Sequence, residues 1–133
     1  MRKFGIGVFA AIAAVALMGA GTGPVQAQSD LAKAGKRVFN KCRACHVVEK
    51  EQNKIGPTLH GVIGRKAGTV EGFNYSDAMR ESDVTWTEET IAEYLADPKG
   101  YIPGNKMVFV GLKKAEDREA VIAYIKEAGG EAE

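Results

Sequence analysis

Residues 47 to 74 follow neither a helical nor a strand period, and Gly56, Pro57, Gly61, Gly64, Gly68 and Gly72 punctuate them. A stretch of that length without regular structure has no ladder for its backbone N–H and C=O groups and no continuous apolar face. Inside a compact domain it is sustained only if it wraps something. Immediately before it stands Lys41-Cys42-Arg43-Ala44-Cys45-His46, which holds both cysteines of the chain and one of its two histidines. The fold is thereby restricted to one in which loops enclose a buried non-protein object near that motif.

The start of the chain belongs to a different category. Arg2 and Lys3 precede an uncharged Ala/Val/Ile/Leu run that closes on Val25-Gln26-Ala27, small residues placed as a secretory signal peptidase requires. Gly19, Gly21 and Gly23 interrupt the run, which falls short of the ~20 apolar residues of a comfortable membrane span. The expected organisation is a signal peptide over 1–27, cleaved after Ala27, and one domain over 28–133. Losing Arg2 and Lys3 takes the formal net charge from +1 to −1. Bulk nucleic-acid binding is not expected from that balance.

Helical spacing begins at Leu31 and continues through Ala34, Gly35, Val38, Phe39, Cys42 and Cys45, with Ser29 or Asp30 as candidate N-cap. Both sulfurs then fall on the apolar side. The pattern returns weakly in SDAMRES and clearly in TWTEETIAEYLADP, where Thr85 or Thr87 can cap, Glu88 and Glu89 suit the first turn, and Asp97-Pro98 ends the run. KGYIPGNKMVFVGLKK reads as loop. In AEDREAVIAYIKEAGG, Val121, Ile122, Tyr124, Ile125 and Ala128 share a face and Gly129-Gly130 terminates the helix. No strand is expected.

Three chemistries use two thiols at this spacing. A closed zinc site needs four ligands, and the chain offers Cys42, Cys45, His46 and His60; the adjacency of Cys45 and His46 makes a tetrahedron from these four awkward. A redox dithiol normally lies beside a βαβ unit, absent here, although export would also permit a plain disulfide. Covalent haem attachment suits the motif better. Thiols three apart on a helix are separated by ~300° and ~4.5 Å of rise, so each can add to one vinyl group of a single porphyrin while His46 reaches the iron. A sixth ligand is then wanted. Thioether sulfur favours ferrous iron, and Met79 and Met107 are the candidates. Met79 lies in a short helical piece where packing is its usual fate, whereas Met107 lies in a proline-glycine loop able to cross the open face.

KCRACH, GPTLHGVIGRKAG, FNYSDAMR, WTEETIAEYLADPKGYIPGNKMVFVGLKK and REAVIAYIK together resemble the small class I c-type cytochromes, the group of mitochondrial cytochrome c and its bacterial counterparts. The resemblance covers nearly all of residues 28–133. It implies thioether tethers at Cys42 and Cys45, axial ligands His46 and Met107, and a Pro57 carbonyl that accepts the His46 ring N–H. It further implies Arg65, Tyr75 and Trp86 around the haem propionates, Tyr94 and Asn105 near the methionine sulfur, and a crossing of first and last helices at Gly35, Phe39 and Tyr124. The Gly35–Cys42 stretch is one residue shorter than in the mitochondrial members, and Asn105 stands where they usually carry threonine. His60 receives no role.

The expected molecule is therefore all-α: a few helices joined by long loops around one covalent haem c. It is expected to be a periplasmic, monomeric one-electron carrier and not an enzyme, since two protein ligands leave no open iron position. The partners implied are membrane redox complexes, a cytochrome bc-type donor and an oxidase or photosynthetic reaction centre as acceptor. Lys36, Lys41, Lys99, Lys106, Lys113 and Lys114 flank the tethers or the Met107 loop and would form a basic docking front, with acids gathered at 81–93, 116–119 and the tail.

Overall fold

The computed structural model describes residues 23–132. Among them are five α-helices and a 3₁₀ turn: α1 (Pro24–Val38) running into Phe39–Lys41, α2 (Asp77–Arg80), α3 (Glu88–Ala96), α4 (Pro98–Tyr101) and α5 (Ala115–Gly129). Two isolated bridges, Ile63 with Glu131 and Lys66 with Thr85, are the β-type pairings among the described residues. The all-α expectation holds.

The frame is the packing of α1 on α5. A Cβ on Gly35 would overlap the Ala120 carbonyl and lie 2.9 Å from the Tyr124 Cβ, so only glycine lets the two backbones meet there. Beside the crossing, the Phe39 and Tyr124 rings lie 5.2 Å apart at 57°, a favoured tilted arrangement. Ala32, Gly35 and Phe39 form the buried stripe of the first helix and its 3₁₀ extension, whereas Leu31 is 39 % exposed. The apolar phase is thus one residue out from the expected face at its start.

Three local expectations are corrected. α1 begins at Pro24 with Gly23 as N-cap, so Ser29 and Asp30 lie inside the helix and Asp30 pairs with Lys33 at 3.2 Å instead of capping. The helix does not run to Cys45: α1 ends at Val38, a 3₁₀ turn takes over, and the tethers follow in turns. The KGY segment, read as loop, contains α4, because Pro98 at its first turn has no N–H to leave unsatisfied and the Asp97 side chain accepts from Gly100 N at 3.1 Å. Thr87 is the cap of α3, in a reciprocal capping box with Thr90. The expected signal peptide falls largely outside the described residues, while α1 spans the expected 27/28 junction.

The long loop 47–74 is held by side chains that substitute for a ladder. Buried Thr58 donates its hydroxyl to Lys50 O at 2.9 Å and receives His60 N at 3.1 Å, while its own N–H goes to Asn53 Oδ1 at 2.9 Å. Val48, Val62, Ile63 and Ala67 project from the same loop into the core. The tail closes over it, with Ala132 N on Ile63 O at 2.7 Å and Gly61 N on Gly129 O at 2.8 Å. No described helix is long and apolar enough to cross a membrane.

Candidate functional site

Between the α1–α5 frame and the loops lies a cavity of about 330 Å³ whose walls are mainly apolar: Leu59, Val62, Phe73, Ile91, Leu95, Phe109, Val121 and Ile125. Into it the fold brings Cys42, Cys45, His46, Pro57, Tyr75, Trp86, Tyr94 and Met107 together. These residues span more than sixty positions of sequence, and α3, which carries Tyr94, and three connecting segments deliver them.

Each end of the cavity is built from the backbone up. Cys45 N and His46 N both bond to Cys42 O, at 3.0 and 2.9 Å, so one tight turn sets both thiols and the imidazole. Burial pushes the Cys42 thiol up to about 11, partly offset by Lys41. Burial thus disfavours its thiolate form. The His46 Nδ1 lies 2.8 Å from Pro57 O. A carbonyl only accepts, so Nδ1 carries the proton and Nε2 is left as the free base of the ring. Burial lowers the imidazole's pKa against the opposing pull of that bond, which keeps it neutral and able to ligate. A Cβ on Gly56 would overlap the His46 ring; this glycine makes room for the imidazole. Gly56 is a site residue that motif reading passed over, since its role depends on contact and not on spacing.

At the other end, Met107 is held by its backbone: Met107 N donates to Asn105 Oδ1 at 2.9 Å. Tyr94 directs its hydroxyl at Met107 Sδ from 3.9 Å, and burial pushes that phenol up to about 12. Trp86 packs its ring 5.0 Å from Tyr94. Among the described residues its indole N–H has no hydrogen-bond acceptor while its ring lines the cavity, and no fully buried side-chain polar atom is unpaired. Tyr75 accepts from Val70 N at 3.1 Å, leaving its own proton to offer. Two cavity-lining side chains thus carry donors without an acceptor among the described residues.

Arg65 and Asn105 do not line the cavity. The Arg65 guanidinium donates to Thr58 O at 2.7 Å and His60 O at 2.9 Å and so braces the loop behind the wall. Asn105 is 4 % exposed and bonds to backbone, not to the sulfur. Met79 lines the cavity as well as Met107. His60 is turned to Val48 O at 3.1 Å. Among the described residues no three His, Cys, Asp or Glu side chains are grouped as a closed metal site, which removes the four-ligand zinc arrangement.

The donor set fits a covalently held haem. Two thiols from one turn, a neutral imidazole with its outer nitrogen fixed and a thioether meet in a single apolar cavity, and a glycine clears the imidazole's path.

The comparisons agree with that class. The cytochrome c family model matches residues 32–129. Cytochrome c2 iso-2 of Magnetospirillum fulvum is 60 % identical over 88 residues, 66 % of this chain and 92 % of that protein. Cytochrome c2 of Blastochloris viridis is 46 % identical over 128 residues, 96 % and 94 % of the two chains. The solved structure of cytochrome cH from Methylobacterium extorquens superposes with a TM-score of 0.68 at 45 % identity, covering 72 % of this chain and 97 % of that one. The chain belongs to the cytochrome c family. Membership makes it a small class I c-type cytochrome, an electron carrier built for a c-type haem.

Proposed function

We propose that the chain is an exported, monomeric one-electron carrier that shuttles between membrane redox complexes, with Cys42 and Cys45 as thioether tethers and His46 and Met107 as axial ligands. The observation that carries the reading is the Pro57 carbonyl bond to His46 Nδ1, which leaves Nε2 as the free base of a ring that lines the same cavity as both thiols and Met107. When bound, the haem supplies an iron that takes up and releases one electron without making or breaking a substrate bond. The chain does the rest. Apolar walls exclude water, the Pro57 bond raises the donor strength of His46, and the Tyr94 hydroxyl faces the thioether. Tyr75 and Trp86 offer donors where carboxylates would otherwise lie unsolvated. With two protein ligands there is no position for a substrate, so the reading is of a carrier and not an enzyme.

Lys41, Ile55, Lys106 and Val108 share the cavity's rim, and Ile55 and Val108 are 78 % and 99 % exposed. An apolar centre flanked by ammonium groups suits brief docking on acidic partner surfaces, such as a cytochrome bc-type donor and an oxidase or photosynthetic reaction centre. Electron uptake from such a partner should slow as salt rises; a salt-independent rate counts against this face. Residues 1–27 fit a cleaved leader and a periplasmic location.

The ligand assignment is tested by paired substitutions. Ferrous wild type and Met79→Ala should show low-spin absorption and resist carbon monoxide, while Met107→Ala should bind it readily at a lowered reduction potential. The reverse pattern would give the iron to Met79.

A further inference from the structure

Lys99 was expected in the basic docking front, but its ammonium is turned inward onto the Met107 loop. Its Nζ donates to Asn105 O at 2.5 Å and lies 3.4 Å from Asn105 Oδ1. The same Asn105 donates both amide hydrogens, to Pro98 O at 2.7 Å and Ile102 O at 2.8 Å, and its Oδ1 receives Met107 N at 2.9 Å. One buried side chain therefore ties three backbone positions together, and one cation closes the ring from outside.

The base of this ring is stiff. Lys99 rises from α4, whose cap is the Asp97–Gly100 bond at 3.1 Å. A Cβ at position 100 would overlap that carboxylate, so glycine is needed for the cap to form. On the far side, Gly104 has φ +88 and a Cβ there would sit 3.2 Å from the Ala78 Cβ, which turns the chain sharply just before Asn105. The loop is thus fixed at both ends, and between them the Lys99 and Asn105 side-chain bonds act beside Asn105 N on Ile102 O at 3.2 Å and Lys106 Nζ on Asn74 O at 3.3 Å. Val108, the residue after Met107, is 99 % exposed, while Phe109 beyond it packs against the core, so the position next to the thioether adds no packing that holds the sulfur inward.

We propose that Lys99 and Asn105 form a latch that holds the Met107 loop closed over the cavity, making both of them positioning residues for the thioether. Lys99 is accordingly a structural cation and not one of the docking lysines. The inference rests on Met107 being the iron ligand. A charge-assisted hydrogen bond to a fixed carbonyl is among the stronger single contacts available to a loop, and without it the loop opens more often. The latch makes loop opening, and with it access to the iron, sensitive to groups that touch neither the haem nor the sulfur.

The test uses the haem-loaded protein and its carbon monoxide affinity in the ferrous state, together with the reduction potential. Lys99→Leu and Asn105→Ala should each raise the affinity about tenfold, matching ~1.4 kcal/mol of lost loop closure, and lower the potential. Lys99→Arg, which keeps a cationic donor, should return to within about threefold of wild type. Arg118→Leu is the control, since that cation also caps backbone carbonyls, Leu112 O at 2.7 Å and Lys113 O at 3.0 Å, but outside the loop; it should leave carbon monoxide affinity and potential unchanged. If Lys99→Leu behaves like Arg118→Leu while Met107→Ala opens the site, the latch is wrong and the ligand assignment stands. If Met107→Ala leaves affinity unchanged, both are wrong.

Discussion

The α1–α5 crossing and the cavity that it borders are organised by opposite means. At the crossing, protein meets protein: Gly35 admits the Ala120 backbone, Phe39 and Tyr124 fill the flank, and Ala120, Ile122 and Ala123 are buried. At the cavity, aperiodic loops meet a space. Their backbone groups are satisfied by Thr58, Asn53, Arg65 and Asn105 side chains rather than by ladders, and their apolar residues face about 330 Å³ that no protein atom fills. The first region resembles any helical core. The second is complete only with its guest, so the two should fail differently when perturbed.

The largest effect should follow from removing both tethers. Cys42→Ser with Cys45→Ser changes no residue of the crossing but deprives the loops of the covalently held object around which they order. A small domain has only ~5–15 kcal/mol of net stability, and an unfilled cavity of this size forfeits contacts from every lining residue. The variant should lack most native circular dichroism at 25 °C and melt without cooperativity. A native-like spectrum with a sharp melt would show that the loops hold themselves, and the contrast between the regions would disappear.

That contrast also governs what the sequence discloses. Helical periods marked α3 and α5 and most of α1 because their buried faces repeat at three and four residues, and CxxCH marked the attachment turn because its chemistry is local. α4 was hidden, since four residues starting at proline carry no period. Thr58 and Gly56 were hidden because each acts through contacts made elsewhere in the chain: a hydroxyl bridging turns of one loop, and a missing Cβ that admits a ring. Arg65 and Asn105 were picked out by resemblance, and the backbone groups to which they bond were not legible there. Spacing reports which residues share a face; it does not report which carbonyl a side chain will find.

Two glycine substitutions of intermediate effect separate the regions further. Gly35→Val forces bulk into the Ala120 backbone, and backbone cannot step aside, so we expect about 3 kcal/mol or more of lost stability with haem absorption and potential unchanged. Gly56→Ala instead displaces the His46 ring from its Pro57 bond. Its cost in stability should be smaller, about 1–3 kcal/mol, but it should move the potential and weaken the low-spin spectrum. Denaturant melts beside potentiometric titrations separate the two outcomes. A Gly35 variant that shifts the potential as far as the Gly56 variant would mean that the crossing and the site are one mechanical unit.

The smallest effect is expected on the solvent side of the crossing, where Tyr124 donates to Glu49 Oε1 at 3.0 Å and joins α5 to the loop after the attachment turn. Tyr124→Phe keeps the ring on Phe39 and removes only this bond. The Glu49 carboxylate is held below its usual value of 4.5 by its own backbone N–H first and by the Tyr124 hydroxyl second. A carboxyl whose pKa is lower folded than unfolded binds fewer protons in the native state, so its stabilisation is present above the unfolded value and is lost as pH falls through the folded one. The pair is open to solvent and screened, so the expected gap between wild type and Tyr124→Phe is below ~0.5 kcal/mol at pH 7. That gap should narrow further as pH falls below the carboxyl's usual 4.5 and the group is protonated. Urea unfolding of both proteins at pH 7 and pH 3 measures it. A gap that stays constant with pH would assign the effect to ring packing on Phe39, and one several times larger would make this exposed contact part of the crossing's core.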